Sequence, residues 1–398
     1  MKTIFHIDVN SAFLSWEAVH RLQDLNEELD LREIPSAIGG DVTTRHGIVL
    51  AKSTPAKKYH IKTAEPIANA LKKCPDLVVV PPNMKLYKKY SKAFMDILRD
   101  YSPDVEQYSV DEAFVDMTGC QSLFGEPVES AYKIKDRIKN ELGFTVNIGI
   151  SDVKLLAKMA SDFEKPDKVH TLYKSEIEDK MWCLPVSELF FCGKSAVKKL
   201  NMLGIHTIGD LAKSDRNVIH GHLKSHGDLL WQLANGEDVS EVDTSEKENK
   251  GYGNSTTISF DVTDEDTAKM FLMSLCETVS SRLRKDHKMA EVIAVTIKDS
   301  DFNSRSHQKV LSAPTNVTDE LYHVCCQLFS ELWDGSPIRL LGVRTTKIYD
   351  DTAARQLNMF SGANYEKLSK LDAAMDSIRN KYGSDAIKRA AFLNTKKE

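Results

Sequence analysis

Ser109-Val110-Asp111-Glu112-Ala113-Phe114 places two adjacent acids between two short apolar runs, Val105 to Val110 and Ala113 to Met117. The pattern predicts a tight hairpin with carboxylates at its tip. Successive side chains on a regular strand face opposite ways, so neighbouring acids converge on one point only at a turn or bulge. Such convergence is what a divalent cation needs; the competing reading is a solvated corner.

Working outward, Thr3-Ile4-Phe5-His6-Ile7-Asp8 reads as an apolar strand ending in an acid. Asn10 or Ser11 can cap a following helix that carries Phe13, Leu14, Trp16 and Val19. A strand, turn and helix start present unpaired N–H groups and the positive end of a helix dipole, a combination that binds anions. An acid beside an anion is out of place unless a cation bridges them. That links Asp8 to Asp111 and Glu112 around a divalent metal and a polyphosphate, whereas Asp8 by itself could equally be a helix-capping acid. Ser53-Thr54-Pro55-Ala56-Lys57-Lys58 offers hydroxyls and two ammonium groups suited to a triphosphate's outer charges.

With 398 residues the chain divides into two to four compact units, and 41% hydrophobic with 28% charged residues is the composition of a soluble globular protein. No apolar run approaches the roughly 18 residues of a membrane span, and the N-terminus lacks a secretory pattern, so a cytoplasmic location without membrane contact is expected. Seven scattered cysteines with no C-x-x-C pair read as reduced thiols, most of them core filler. A net charge of −5 weighs against nucleic acid, yet lysines segregate at 52–62, 85–92 and 133–139. Each cluster alone reads as a solvated helix face.

Strands are expected near 36–39 and 47–52, a helix at 66–73, a buried strand at 78–80, a helix at 84–101, and after the hairpin a helix at 129–142, a strand at 145–150 and a helix at 154–163. These build one α/β core with Asp8 and the hairpin acids at strand ends. Residues 178–236 show short helices punctuated by glycines, and 237–250 is acidic and polar, the composition of a linker. A strand at 252–260, helix at 263–285, strands at 292–298 and 304–311, helix at 318–332 and strand at 338–348 follow in βαββαβ order.

Four stretches together carry a family resemblance: Asp8-Val9-Asn10 with Phe13; Ser109 to Asp116; Asn147-Ile148-Gly149-Ile150-Ser151; and Ala157-Lys158-Met159-Ala160-Ser161-Asp162 followed by Lys165-Pro166. In this order the chain resembles Y-family (lesion-bypass) DNA polymerases of the bacterial kind. The resemblance implies an α+β multidomain, right-hand fold: a ferredoxin-like palm in 1–18 and 77–166, small fingers in 19–76, a helical thumb with helix-hairpin-helix-like turns in 167–236, the linker 237–250, a βαββαβ little-finger domain in 251–350, and a tail from 351 to 398. It also implies template-directed, low-fidelity addition of deoxynucleotides to a primer 3′ end.

Residue by residue, the resemblance makes Asp8, Asp111 and Glu112, with the Val9 carbonyl, ligands of two Mg²⁺ ions. Phe13 becomes a steric gate against ribonucleotides, and Thr54, Lys57 and Lys165 become contacts of the triphosphate. The family commonly has Tyr and Arg where Thr54 and Lys57 stand, so weaker nucleotide binding is expected. Phe191-Cys192-Gly193 replaces a usual Gly-x-Gly turn of the thumb, which puts that turn's phosphate grip in question. Arg305, Lys309, Arg344 and Lys347 would touch DNA phosphates, although irregular alternation along Arg344, Thr346 and Ile348 leaves their facing open. Gln356-Leu357-Asn358-Met359-Phe360 resembles the pentapeptide with which bacterial polymerases hook a sliding clamp, with Gln356, Leu357, Met359 and Phe360 as its contacts. Residues 364–393 place Leu368, Leu371, Met375, Ile378 and Tyr382 on one helical face up to Gly383, an amphipathic appendage whose partner is open.

The implied partners are primer-template DNA, deoxynucleoside triphosphates and a β-type clamp, with the chain acting as a monomer. A non-catalytic, clamp-docking scaffold and another palm-type nucleotidyl transferase or cyclase are the competing functions. A scaffold has no reason to keep three mutually repelling carboxylates, and a simpler transferase has no need of thumb, second βαββαβ unit or tail.

Overall fold

The computed structural model describes residues 2–40, 47–245, 248–352 and 362–390, with side chains in the last stretch from Tyr365 onward. These residues fall into two compact units that divide at 246–247. No helix among them is long and apolar enough to cross a membrane.

The first unit holds strands β1 (Ile4–Val9), β2 (Ser36–Gly39), β3 (Val49–Lys52), β4 (Val78–Val80), β5 (Val105–Gln107), β6 (Glu112–Asp116), β7 (Val146–Ser151) and β8 (Val169–Thr171). Five of them form one sheet in the order β5-β6-β1-β7-β8, and the other three a small sheet, β3-β2-β4. In the large sheet only β7 and β8 run parallel. Strand period two sends Phe5, Ile7 and Val9 to one face, where they join Ala113, Val115, Ile148 and Ile150 in a core. Trp16, Phe94, Ile134 and Phe144 close that core from the Ala12–Gln23, Met84–Arg99 and Pro127–Leu142 helices and their flanks.

The opposite face carries Ile4, His6 and Asp8 and is covered by the Lys154–Ser161 helix, whose Ala157 packs on Ile4 and Phe114. The approach is very close. A Cβ on Gly149 would lie 2.0 Å from the Ala157 carbonyl oxygen and 2.4 Å from the Ser161 nitrogen, so only glycine admits the helix at this depth. Leu155, Leu156, Met159 and Ala160, on the other side of the same helix, join a helical layer with Met181, Leu200, Ile208, Ile219 and Leu230.

Three expectations are corrected here. β4 is not buried, because it pairs with β2 at an edge of the small sheet and leaves Val78 37% exposed. The first arm of the hairpin ends at Gln107: the Tyr108 and Ser109 nitrogens both donate to the Glu112 carbonyl oxygen, at 3.0 and 3.1 Å, and close the turn. The polar stretch from 237 is no free linker. Asp238 Oδ2 accepts from the Leu155 nitrogen at 3.0 Å, capping a helix whose own N-cap residue, Val153, supplies no side-chain bond. Lys154 Nζ donates to the Glu241 carbonyl at 3.1 Å, the Asp243 nitrogen donates to Glu106 at 2.9 Å, and Val242 packs on Ile4, Phe114 and Ala157. One acid of the stretch thus caps a helix, and the backbone of the stretch meets Lys154 and Glu106.

The second unit has β9 (Gly251–Val262), β10 (Lys288–Asp299), β11 (Ser304–Thr315) and β12 (Ile338–Asp350) in one antiparallel sheet, ordered β11-β10-β12-β9. The Glu265–Lys285 and Thr318–Leu332 helices cover one face through Leu272, Val279, Leu321 and Phe329, giving the expected βαββαβ succession. A third helix, Gly362–Tyr382, belongs to this unit too. Its predicted apolar stripe is not what fastens it: Met375 is buried, but Leu371 and Tyr382 are exposed. Asp372, 3% exposed, accepts from the Thr318 nitrogen at 2.8 Å and pairs with Arg284 and Arg389, each at 3.1 Å. The expected appendage is therefore docked on its own domain by ions, while Gln356 to Phe360 lie outside the described residues.

Candidate functional site

Antiparallel register sets Asp8 opposite Glu112 on one side and Asn147 on the other. The Val9 nitrogen donates to the Asp111 carbonyl at 3.0 Å, which ties the hairpin tip to the end of β1. Asp111 is held in a small turn: Ser109 Oγ donates to its Oδ1 at 2.6 Å and accepts from its nitrogen at 3.2 Å. Asp8 and Glu112 are each met by an ammonium group, Lys165 on Asp8 and Lys158 on Glu112, and Lys165 also pairs with Asp162 at 2.8 Å.

Burial shifts these groups. Desolvation raises the Asp8 pKa to about 6; the Lys165 charge opposes the shift and the Glu112 charge adds to it. For Lys158 and Lys165 burial works against the charged form, but the acids around them prevail and both pKa values are raised. The lysines therefore stay charged, while Asp8 is incompletely compensated by them. His6, directly beneath on the same strand face, is kept neutral by burial and by the two lysines, and its Nδ1 lies 2.7 Å from Ser161 Oγ.

Among the described residues no three carboxylate, imidazole or thiol groups stand together as a ready-made metal cage. The donor chemistry nevertheless suits a hard divalent cation. The available ligands are oxygens, Asp8 is desolvated and short of positive charge, and nearby Asn10 Oδ1 is a buried acceptor without a donor.

The other expected residues are placed as follows. Phe13 is half-buried and stacks on Tyr87, with centroids 4.6 Å apart and planes at 9°, beside Trp16 at 5.9 Å. Ser11 precedes its helix with φ 50° and makes no side-chain cap; Ser15 Oγ instead donates to the Asn10 carbonyl at 2.6 Å. Thr54 and Lys57 are exposed on the short Thr54–Lys57 helix, and no described contact ties them to the acids. The Ser53 hydroxyl is consumed structurally, donating to the Ile34 carbonyl at 2.7 Å and accepting from the Ala56 and Ser36 nitrogens at 3.1 Å.

Lys158 was not among the expected site residues. Its signal was present in the sequence: a lysine amid Leu155, Leu156, Ala157, Met159 and Ala160 is a charge on an otherwise buried helix, which demands an acid partner.

In the second unit the four expected phosphate contacts do not share a face. Arg305 and Lys309 face the helix-covered side, where Arg305 pairs with Asp334 at 2.6 Å and Lys309 donates to Gln327 at 3.0 Å. Lys347 pairs with Glu291 at 3.5 Å. Lys347 also takes φ 51°, and the alternation changes phase there, so that Leu341, Val343 and Ile348 all meet the core. Arg344 lies on the open face, in a shallow hollow with Lys298, Thr296, Ser304, Gly342 and Ser255.

An acid-bearing hairpin on a ferredoxin-like sheet, a helical layer behind it and a separate βαββαβ unit define a right-hand polymerase fold of the Y-family type. A solved chimeric Y-family DNA polymerase shares it with a TM-score of 0.75 at 23% identity, over 87% of this chain and 99% of that one. Residues 7–162 match the impB/mucB/samB family model, and residues 249–359 match the model of that family's C-terminal domain. DNA polymerase IV of Clostridium acetobutylicum is 49% identical over 98% of both chains, and DNA polymerase IV 1 of Bacillus subtilis is 36% identical over 98% of this chain and 93% of its own. The chain belongs to the impB/mucB/samB family and is similar to DNA polymerase IV over nearly its whole length.

Proposed function

We propose that the chain is a DNA-directed DNA polymerase of the lesion-bypass kind, and that the paired acids and lysines on β1, β6 and the Lys154–Ser161 helix are its catalytic centre. The observation that carries this is the buried Asp8 with Glu112 opposite it in register, each held by a lysine. A scaffold that only docked on a clamp would gain nothing from such a centre.

Asp8, Asp111, Glu112 and the Val9 carbonyl are the proposed holders of two Mg²⁺ ions. Bound there, the ions supply charge neutralisation at the primer 3′-hydroxyl and the leaving pyrophosphate. Lys165 is the ammonium placed to exchange its carboxylate partner for triphosphate oxygens, and the exposed Lys57 is a second contact. Lys158 orients Glu112. The open sheet face around Arg344 and Lys298 is the proposed phosphate-tracking surface of the second unit. Extension of a primer with Mg²⁺, on intact template and across an abasic site, tests the reading; no extension on either template would overturn it.

Phe13 is the proposed gate, because its half-buried ring is stacked on Tyr87 and backed by Trp16, which leaves it little room to move aside for an extra hydroxyl. Phe13→Ala is expected to raise ribonucleotide incorporation relative to deoxynucleotide by roughly 100-fold, the scale of steric discrimination in a pocket. An unchanged ratio in single-nucleotide insertion assays would assign the gate elsewhere.

A β-type sliding clamp is the proposed partner of Gln356 to Phe360. Leu357→Ala with Phe360→Ala is expected to abolish clamp stimulation while synthesis on a naked primer stays at the parent rate. Retained stimulation would remove the motif from the interface.

A further inference from the structure

The first unit carries a row of aromatic rings that the chemistry above does not use. Phe114, two residues from Glu112, meets Tyr108 edge-on at 5.5 Å; Tyr108 lies 6.3 Å from Phe190, and Phe190 lies 4.2 Å from Phe191. Phe114 is buried, whereas Tyr108 is exposed and Phe191 is 55% exposed. The row thus runs from the acid hairpin to the surface of the helical layer.

Its last member is held in an unfavourable way. Phe191 has φ 66°, the left-handed region in which a bulky side chain is strained and glycine is at ease. The chain keeps the turn that a glycine would make, since the Gly193 nitrogen donates to the Phe191 carbonyl at 3.0 Å and the Lys194–Met202 helix starts directly after. Backbone geometry therefore gives no reason for a ring at this position. Packing gives none either, because Phe190 already fills the inner place and Phe191 stands largely in solvent. Lys194 and Lys198 are exposed on the adjoining helix and, four residues apart, share one face of it.

We infer that Phe191 and Tyr108 form an aromatic track for the deoxyribose faces of a DNA strand leaving the acid centre, with Lys194 and Lys198 on its phosphates. The inference rests on the polymerase reading. Aromatic rings beside ammonium groups are a sequence-independent surface for a polynucleotide: the rings contribute a part of the affinity that salt does not screen, and the lysines a part that it does.

The test is the affinity of the full chain for a primer-template duplex, measured by fluorescence anisotropy across a salt series, without nucleotide. Phe191→Gly suits the local backbone and is expected to melt no lower than the parent. It should weaken binding about tenfold with the same slope of log Kd against log salt, and Tyr108→Leu should weaken it in the same manner. Lys198→Gln should instead lower that slope by about one phosphate's worth. Unchanged affinity in both aromatic variants, or a loss accompanied by a fall in slope, would overturn the track. Failure of the parent chain to extend a primer would overturn the polymerase reading itself, which separates the two outcomes.

Discussion

Glu112→Gln is expected to lower the rate of nucleotide addition about 10³-fold, the cost of removing one charge-stabilising group from a reaction centre, while duplex affinity stays within about threefold of the parent because the phosphate contacts lie elsewhere. Gln is preferred to Ala for a structural reason. Lys158 is 7% exposed and bonded to Glu112, so Glu112→Ala would leave a buried ammonium with only the more distant Asp162, at 3.6 Å. Breaking such a pair typically costs about 3–5 kcal/mol, and lost folding would then pass for lost chemistry. The amide keeps the volume and an acceptor for Lys158 but supplies no negative charge to a cation. Single-turnover primer extension beside a thermal melt separates the two contributions. A folded Glu112→Gln chain within tenfold of the parent rate would remove Glu112 from the proposed metal set.

Asp372→Ala is expected to destabilise the second unit by about 3 kcal/mol, lowering its melting midpoint by roughly 10 °C. One carboxylate here serves three partners: the Thr318 nitrogen at the start of a helix whose N-cap residue, Val317, offers no side chain, and the guanidinium groups of Arg284 and Arg389. Its loss uncaps that helix and leaves two half-buried cations with fewer partners, although Arg284 retains Asp376 and Arg389 retains Glu277 and Asp319. Asp385→Ala, on the exposed side of the same tail, is the control and should melt within a degree or so of the parent. An unchanged midpoint in Asp372→Ala would mean that the network does not hold the tail helix in place.

The contrast between these two acids shows what could be read in advance. Asp111 and Glu112 were legible because a hairpin is a local object: apolar alternation on either side of two adjacent acids leaves few other arrangements. The βαββαβ succession was legible for the same reason, each element announcing itself by its own periodicity. Asp372 was not legible, since in sequence it is one more charge on a helix whose apolar stripe suggested a hydrophobic dock.

Sequence alone therefore determined the strand ending in Asp8, the acid hairpin, the order of elements and, through four linked motifs, the family. Tertiary structure decided which charges meet. Lys158 finds Glu112 across 46 residues, Lys165 finds Asp8 across 157, and Asp372 caps Thr318 across 54. It also turned the supposed linker into a strap on the Lys154–Ser161 helix and separated Arg344 from Arg305 and Lys309. Periodicity and turn chemistry act over a few residues and leave a trace in local sequence. The partner of a long charged side chain is set by which distant elements the packed core brings within reach, and at Gly149 that reach depends on the absence of a single methyl group.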